Sequence, residues 1–298
     1  IPSEKSPKEI SWADKIPLGW TYEKIMTTLT QKVLDYIRER APKDSAFFLY
    51  YALTGPHTPI APDSAFIGKS EAGRYGDFIY QIDYDVGKIV ETLKKQGIYD
   101  NTVIIFASDN GSPERDGTNY SGPMKSVLEY DHYPNDPWRG MKADLWEGGH
   151  RVPFIIRWPG VTEPNTSSDV TVSQIDIMRT LANYLNIDLP DNAAEDSYDI
   201  MPVLRGEKIS GHDPFIIYNS EKPAIRSGKW KLILDAGPTG FSRHSGYEVP
   251  EGAPEAQLYD MINDPKEQNN LFEQKPDVVK ELEKTLDAYI NSPSNSIK

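Results

Sequence analysis

The sequence of 298 residues contains no cysteine and no apolar run long enough to span a membrane. Without cysteine, these residues form no disulfide, no thiolate zinc site and no thiol nucleophile. Basic residues are also scarce, with 32 Lys and Arg against 45 Asp and Glu and a net charge of −13. Such a chain repels phosphate backbones and anionic lipids, so we expect neither a nucleic acid nor a membrane as a partner.

The remaining composition is that of a globular protein, with 38% hydrophobic and 11% aromatic residues. This length is enough for one large domain or two of ordinary size. The sequence begins at Ile1 and shows no basic segment followed by an apolar one. We therefore expect any targeting segment to be absent or removed.

Helical periodicity and short apolar runs alternate along the first two thirds of the chain. Apolar residues at helical spacing predict helices over 21–40, 75–96 and 174–185, and apolar runs predict buried strands over 46–53, 102–107 and 153–158. This alternation is typical of an α/β fold with a mainly parallel sheet.

The pattern changes near residue 206. Short β-like runs follow at 215–218, 224–226, 230–234 and 257–259, and a last helix is predicted over 277–291. We therefore expect an α/β domain over 1–207 and a small subdomain over 208–298, made of an antiparallel sheet and one helix.

Polar residues follow the predicted strands, where ligands bind in open α/β sheets. Asp109 and Asn110 offer hard oxygen atoms that suit Ca²⁺ or Mg²⁺, although Asp-Asn-Gly is also a common turn sequence. His57 lies between Pro56 and Pro59, which restrict its backbone, so it is either a fixed acid or a loop residue. Lys142 either neutralises an anion or is a solvated surface lysine.

The order of these motifs closely resembles that of the formylglycine-dependent sulfatases. The resemblance rests on G-P-H-T-P at 55–59, G-I-Y-D-N-T-V-I-I-F-A-S-D-N-G at 97–111 and R-G-M-K-A-D-L-W-E-G-G-H-R-V-P-F-I-I-R-W-P-G at 139–160. It covers nearly the whole chain from about residue 20 and corresponds to the C-terminal part of such enzymes.

The resemblance implies an alkaline-phosphatase-like fold, with a mixed or mainly parallel central sheet between helices and a smaller C-terminal sheet domain. It also implies that Asp109 and Asn110 bind calcium, and that Lys142 and His57 bind the sulfate and the leaving oxygen. Which of the latter two donates the proton stays open. The expected activity is hydrolysis of sulfate esters by a hydrated formylglycine, in a periplasmic or secreted protein.

Two family features are missing from the sequence. No Cys or Ser precedes an x-Pro-x-Arg motif, and the pair of adjacent aspartates that completes the metal site is not found. We therefore expect the nucleophile in a missing N-terminal half of the fold, which is also the expected partner of this chain. Residues 1–298 alone are expected to be inactive.

Aromatic residues over 112–138 suggest a carbohydrate sulfate as substrate, since aromatic faces pack on sugar rings. They are Tyr120, Tyr130, His132, Tyr133 and Trp138. The alternative is that they pack the loop onto the domain. His150, within E-G-G-H-R-V-P, is either a substrate-facing residue at the rim of the site or a packing residue.

Two other functions remain open from the sequence. A phosphatase or phosphodiesterase of the same superfamily would use two zinc ions, for which the neutral amide of Asn110 is a poor ligand. A non-catalytic half-fold that binds sulfated glycans would explain the missing nucleophile motif.

Overall fold

The computed structural model describes residues 19–114, 129–207, 209, 211–219, 222–244 and 247–291. The chain forms two compact units, one of residues 1–102 with 114–134 and one of residues 103–113 with 135–298. The domain boundary expected after residue 207 falls inside the second unit and stays a prediction. None of the described helices is long and apolar enough to cross a membrane.

Two long helices form the first unit, as their periodicity predicts. Helix α1 is Tyr22–Arg40 and helix α2 is Gly73–Lys95, and they pack against each other. Polar side chains join them, because Gln81 of α2 accepts the Asp63 N–H at 2.9 Å and donates to Thr27 of α1 at 3.4 Å. Helix α2 ends before Gly97, whose φ of +72° is the left-handed conformation that favours glycine.

Residues 46–53, predicted to be a buried strand, form no strand in the described part of the chain. Phe47 packs edge-on against Tyr36 of α1 with ring centroids 5.8 Å apart, and Tyr51 bonds to Thr30 at 2.8 Å. Phe48 and Tyr50 are instead 78% and 81% exposed. A strand requires a neighbour for its backbone groups, and the described residues provide none here, so the prediction of a strand buried on both faces is wrong for this chain.

The second unit begins with a pair of strands in the predicted positions. β1 is Ile104–Ala107 and, after the single-turn helix α3 (Glu147–His150), β2 is Phe154–Arg157. They pair antiparallel, with Ile105 opposite Ile156. No parallel pair occurs among the residues that the structure describes, so the mainly parallel central sheet stays a prediction.

Helix α4, Asp176–Tyr184, follows the strand pair. Its residues Ile177 and Leu181 line a small hollow together with Ile105 of β1 and Ile156 of β2. A buried hydrogen bond then joins α4 to the chain ahead of the next sheet, since His212 Nε2 lies 2.8 Å from Asp176 Oδ1.

The C-terminal sheet is confirmed as four antiparallel strands in the order β3-β4-β5-β6. After the single-turn helix α5 (Met201–Leu204), they are β3 Phe215–Tyr218, β4 Pro223–Ser227, β5 Trp230–Ile233 and β6 Gln257–Asp260, followed by helix α6, Pro276–Ile290. One face of the sheet packs on Leu282 and Leu286 of α6. The other face packs on Leu145 and Trp146, so the sheet supports the segment that contains Lys142.

Candidate functional site

Asp109 and Asn110 follow the end of β1 in a tight turn. Asp109 is exposed, and its Oδ1 accepts the Asn110 N–H at 3.0 Å. The Asn110 side-chain NH₂ donates to the Gly111 carbonyl at 3.0 Å, which fixes the amide and leaves its oxygen as an acceptor. The turn therefore offers one carboxylate and one amide oxygen to a ligand.

The loop of Lys142 lies directly against this turn. Gly111 N donates to Gly149 O at 3.0 Å, and Lys142 N donates to Ser112 O at 3.1 Å. The contact is so close that a Cβ on Gly111 would lie 1.7 Å from the Gly148 carbonyl oxygen. Glycine at position 111 is therefore required by the approach of the two backbones.

The Asn135 side chain joins the segment after Asp109 to the loop that contains Lys142. Ser112 N donates to Asn135 Oδ1 at 2.8 Å, and Asn135 Nδ2 donates back to Ser112 O at 2.9 Å. A third bond of 3.3 Å runs from Asn135 Nδ2 to Gly140 O. One buried amide thus fixes the segment after Asp109 relative to the loop that leads to Lys142.

The Lys142 side chain is half-buried, and its ammonium makes no hydrogen bond or ion pair within the described ranges. The turn that holds it is closed by Asp144, whose Oδ2 accepts the Met141 N–H at 2.8 Å and bonds to the Ser242 hydroxyl. Burial raises the pKa of Asp144 to about 6, against the effect of these hydrogen bonds. The structure thus supplies an ordered backbone and an unneutralised cation.

A buried charge cluster, which the sequence did not predict, lies under the same loop. Lys231 of β5 has a fully buried side chain, 3.0 Å from Glu147 Oε1 and 2.8 Å from Glu267 Oε1. The Glu147 N–H also donates to Glu267 Oε2 at 2.7 Å. Burial acts to raise the pKa of both carboxyls. At Glu147 the charge of Lys231 and the hydrogen bond with His150 outweigh burial and lower the pKa, whereas at Glu267 burial prevails and raises it.

His150 lies at the edge of this cluster. Its Nε2 is 3.4 Å from Glu147 Oε1 and 3.5 Å from Lys231 Nζ. Burial and the Lys231 charge lower its pKa, so the imidazole is neutral at pH 7. These contacts fit the packing role considered above; the role at the rim of the site stays a prediction.

His57 belongs to the first unit, in a turn closed by a 3.2 Å bond from its N–H to Thr54 O. The side chain is exposed, and Nδ1 lies 2.8 Å from Thr58 O. Because a carbonyl oxygen only accepts, Nδ1 carries a proton and Nε2 is the atom that can gain or release one. Asp109, Asn110 and Lys142 are brought together in the second unit.

Of the aromatic residues singled out above, Tyr120 lies outside the described residues. Tyr130 and Tyr133 are 49% and 52% exposed. The Tyr130 ring covers Gly73 at the start of α2, since a Cβ there would lie 2.6 Å from it. Tyr130 therefore contributes to packing, while its exposed part and Tyr133 are open to solvent.

These motifs and their arrangement match a known family. The family model described as Sulfatase matches residues 5–187. The chain belongs to the sulfatase family. It is 36% identical over 270 residues to the N-acetylgalactosamine-6-O-sulfatase of Bacteroides thetaiotaomicron, covering 90% of this chain and 52% of that protein.

Solved structures agree with this assignment. One, from work on the metabolism of multiple glycosaminoglycans by Bacteroides thetaiotaomicron, superposes with a TM-score of 0.76 at 32% identity and covers 90% of this chain and 55% of its own. The phosphonate monoester hydrolase of Agrobacterium radiobacter shares the fold, with a TM-score of 0.59 at 20% identity and coverage of 94% and 66%. This sulfatase chain spans about half the length of the curated relatives it matches.

Proposed function

We propose that the protein containing this chain hydrolyses sulfate esters. The observation that carries the proposal is the backbone contact between the Asp109–Asn110 turn and the Lys142 loop, in a chain of the sulfatase family. This contact joins hard oxygen donors and a cation without an ionic partner among the described residues. A sulfate group needs such a cation, because negative charge spreads over its oxygen atoms as the S–O bond breaks.

In the proposed reaction, a nucleophile attacks sulfur and the bond from sulfur to the alcohol oxygen breaks. That oxygen leaves with the electron pair and takes a proton, and one water is consumed overall to give the alcohol and sulfate. Lys142 provides a point charge beside the sulfate. The proton comes from Lys142 or from His57 Nε2, and the choice between them stays open.

The nucleophile is proposed to be a formylglycine in the part of the relatives that this chain does not span. The sequence itself contains no cysteine and no serine in the modification motif. Support also comes from residues 46–53, where Phe47 and Tyr51 face α1 while Phe48 and Tyr50 are exposed. The exposed aromatic side chains fit a surface that the missing N-terminal half would cover.

A calcium ion is proposed to bind Asp109 and Asn110, with Mg²⁺ as the alternative. Their oxygen atoms fit such a hard cation. Calcium gathers six to eight oxygens, and no cluster of three or more acidic or His ligands occurs within the described ranges. These two residues are therefore part of a shell completed elsewhere, and a bound cation would withdraw charge from the sulfate oxygens.

The proposed substrate is a sulfate ester of a carbohydrate, with an aryl sulfate as an incidental substrate. The exposed Tyr133 and the exposed part of Tyr130 support this, since aromatic faces pack on sugar rings. A relative with 36% identity is called an N-acetylgalactosamine-6-O-sulfatase. We further propose a periplasmic or secreted location, where sulfated glycans are available.

The test measures sulfate release by the full-length protein from a 6-sulfated N-acetylgalactosamine oligosaccharide and from an aryl sulfate, and cleavage of a phosphate diester to a monoester. We expect sulfate release from both sulfate esters, faster from the sugar, and release slowed by on the order of 10²-fold or more in Lys142→Ala. Cleavage of the phosphate diester alone would reject the proposal. Tyr133→Ala should reduce action on the sugar and spare the aryl sulfate; equal losses would favour a packing role.

A further inference from the structure

A hollow of about 420 Å³ opens on the second unit beside the Lys142 loop. It is lined by Pro137, Trp138, Arg139, Lys266 and Gln268. Two chain segments meet there, the approach to Lys142 and the turn after β6. The volume falls at the small end of the range for ligand pockets and is sufficient for a sugar ring with its substituents.

Arg139 forms a fixed cationic wall of this hollow. Its Nη1 donates to Glu267 O at 2.6 Å and to Tyr259 OH at 3.2 Å, and its guanidinium stacks 3.7 Å above the Trp146 ring. A guanidinium has five N–H donors; these bonds use two, and Nη2 donates a third to Tyr247 OH at 3.4 Å, which leaves two. The side chain is thus held in place while donors remain for an anion.

Trp138 adds a flat apolar wall. The ring is half-buried, and the Arg151 guanidinium lies 3.8 Å from its centroid. That cation is in turn 3.3 Å from Glu147 Oε2, which orders it. The hollow therefore combines an indole, to which the apolar face of a sugar packs well, with cations on the same surface.

The residues that line the hollow include two cations and no carboxylate, although the chain carries −13 overall. Lys266 is exposed and makes no ion pair within the part of the chain that the structure describes. Glu267 points inward to Lys231 at 2.8 Å, and Asp264 accepts the Gln268 and Asn269 N–H groups at 2.9 and 2.7 Å. Asp144 interacts electrostatically with Arg139 and Asp136 is exposed, but neither carboxylate belongs to the lining of the hollow.

We propose that this hollow binds an anionic sugar residue, carrying a sulfate or a carboxylate, of a glycan whose scissile unit reaches Lys142. The substrate class rests on the proposed function. Arg139 and Lys142 belong to one loop, so a single chain of sugars can contact both. Lys266 and Arg139 bind the anionic group, Trp138 packs on the ring, and the hollow increases affinity for long substrates.

The test uses the full-length protein with Lys266→Glu and Trp138→Ala, and Lys284→Glu on α6 as the matched control for charge. Hydrolysis of a sulfated hexasaccharide should show a KM raised about tenfold in Lys266→Glu, with kcat unchanged. Kinetics on the small aryl sulfate should equal those of the parent in all variants. The proposal would be overturned if Lys266→Glu and Lys284→Glu had the same KM for the hexasaccharide. It would also be overturned if Lys266→Glu raised the KM for the aryl sulfate as much as the KM for the hexasaccharide.

Binding measured by calorimetry separates this inference from the proposed function, because it requires no turnover. A sulfated hexasaccharide without uronic acid and an unsulfated uronate hexasaccharide are compared. If Lys266→Glu binds the sulfated hexasaccharide more weakly than the parent does, the hollow is a sulfate site. If it binds the uronate hexasaccharide more weakly, the hollow is a carboxylate site. If Lys266→Glu binds both hexasaccharides as the parent does, the proposal is overturned, even when the protein hydrolyses sulfate esters. The Lys266→Glu comparison remains decisive if the Trp138→Ala variant does not fold.

Discussion

The Lys231 ammonium and the Glu147 carboxylate form an ion pair of 3.0 Å with side chains that are 0% and 3% exposed. Such a pair is expensive to break, because removal of one partner leaves a charge in a medium that solvates it poorly. Glu267, at 2.8 Å from the same ammonium, makes the lysine the common counter-ion of two carboxylates. The pair joins β5 to the segment that contains Lys142.

Lys231→Met should therefore lower the free energy of unfolding by about 3–5 kcal/mol. The matched control is Lys229→Met, which breaks a 2.7 Å ion pair with Asp260 at a lysine whose side chain is 42% exposed. That change should lower it by less than about 1 kcal/mol, because solvent screens the pair. Denaturant unfolding measures both, and equal losses would show that burial of Lys231 does not set the energy.

Lys142→Ala and His57→Ala should each reduce kcat of the full-length protein on an aryl sulfate by on the order of 10²-fold or more. Lys142→Ala removes an ammonium without an ionic partner in the described ranges, and His57→Ala removes the Nε2 proton site. Lys284→Ala, an exposed lysine on α6, is the control and should keep parental activity. Turnover within a few-fold of the parent in both variants would reject their roles.

Gly111→Ala should separate the two loops of the site. Its Cβ would lie 1.7 Å from the Gly148 carbonyl oxygen, a distance that forces the backbone to move. We expect calcium affinity and kcat to fall together, with a stability loss of about 1–3 kcal/mol. Gly87→Ala is the control, since nothing lies within 4 Å of its added Cβ, and it should increase the stability of α2 by about 0.5–1 kcal/mol. Parental calcium binding in Gly111→Ala would mean that the contact is dispensable.

Asp85 on α2 should make stability fall as pH rises. Burial raises its pKa to about 6 from an ordinary value of 3.8, and the Thr30 hydrogen bond opposes this only in part. Because the folded state holds the proton more tightly, the stabilisation is complete below pH 3.8 and is lost as pH rises through 6.

As pH rises from 4 to 7, the free energy of unfolding of Asp85→Asn should therefore increase by about 1–2 kcal/mol relative to that of the parent, after allowance for screening by solvent. Asp83→Asn, exposed on the same helix, should show no such trend. Thermal unfolding at several pH values gives the comparison. Parallel curves for the two variants would exclude a raised pKa at Asp85.

Periodicity predicted α1, α2, α4 and α6 because each helix buries one apolar face within this chain. The strands β1 to β6 were also predicted, since each pairs with a neighbour that the same chain supplies. The strand predicted over residues 46–53 was wrong for the opposite reason, because the described part of the chain supplies no neighbour for it. An apolar run reports a need for burial but not whether the burying partner is within the sequence.

Only some of the residues of the candidate site could be predicted from the sequence. The motifs predicted Asp109, Asn110 and Lys142, but their order in the chain says nothing about the hydrogen bond that joins the two loops. The Lys231–Glu147 pair was missed because the two residues are 84 positions apart. A signal was present, since Lys231 shares a strand face with the buried Ile233, where an unpaired lysine is not tolerated.

Asn135 and Ser112 clamp the chain where it leaves the Asp109 segment and where it returns, through bonds of 2.8 and 2.9 Å. The two residues of the clamp flank the intervening stretch and do not belong to it. The intervening stretch can therefore be exchanged for that of another sulfatase, longer or shorter, while the oxygen donors and the lysine keep their relative positions. Loop grafting between these two anchors would test the proposed glycan substrate without redesign of the reacting groups.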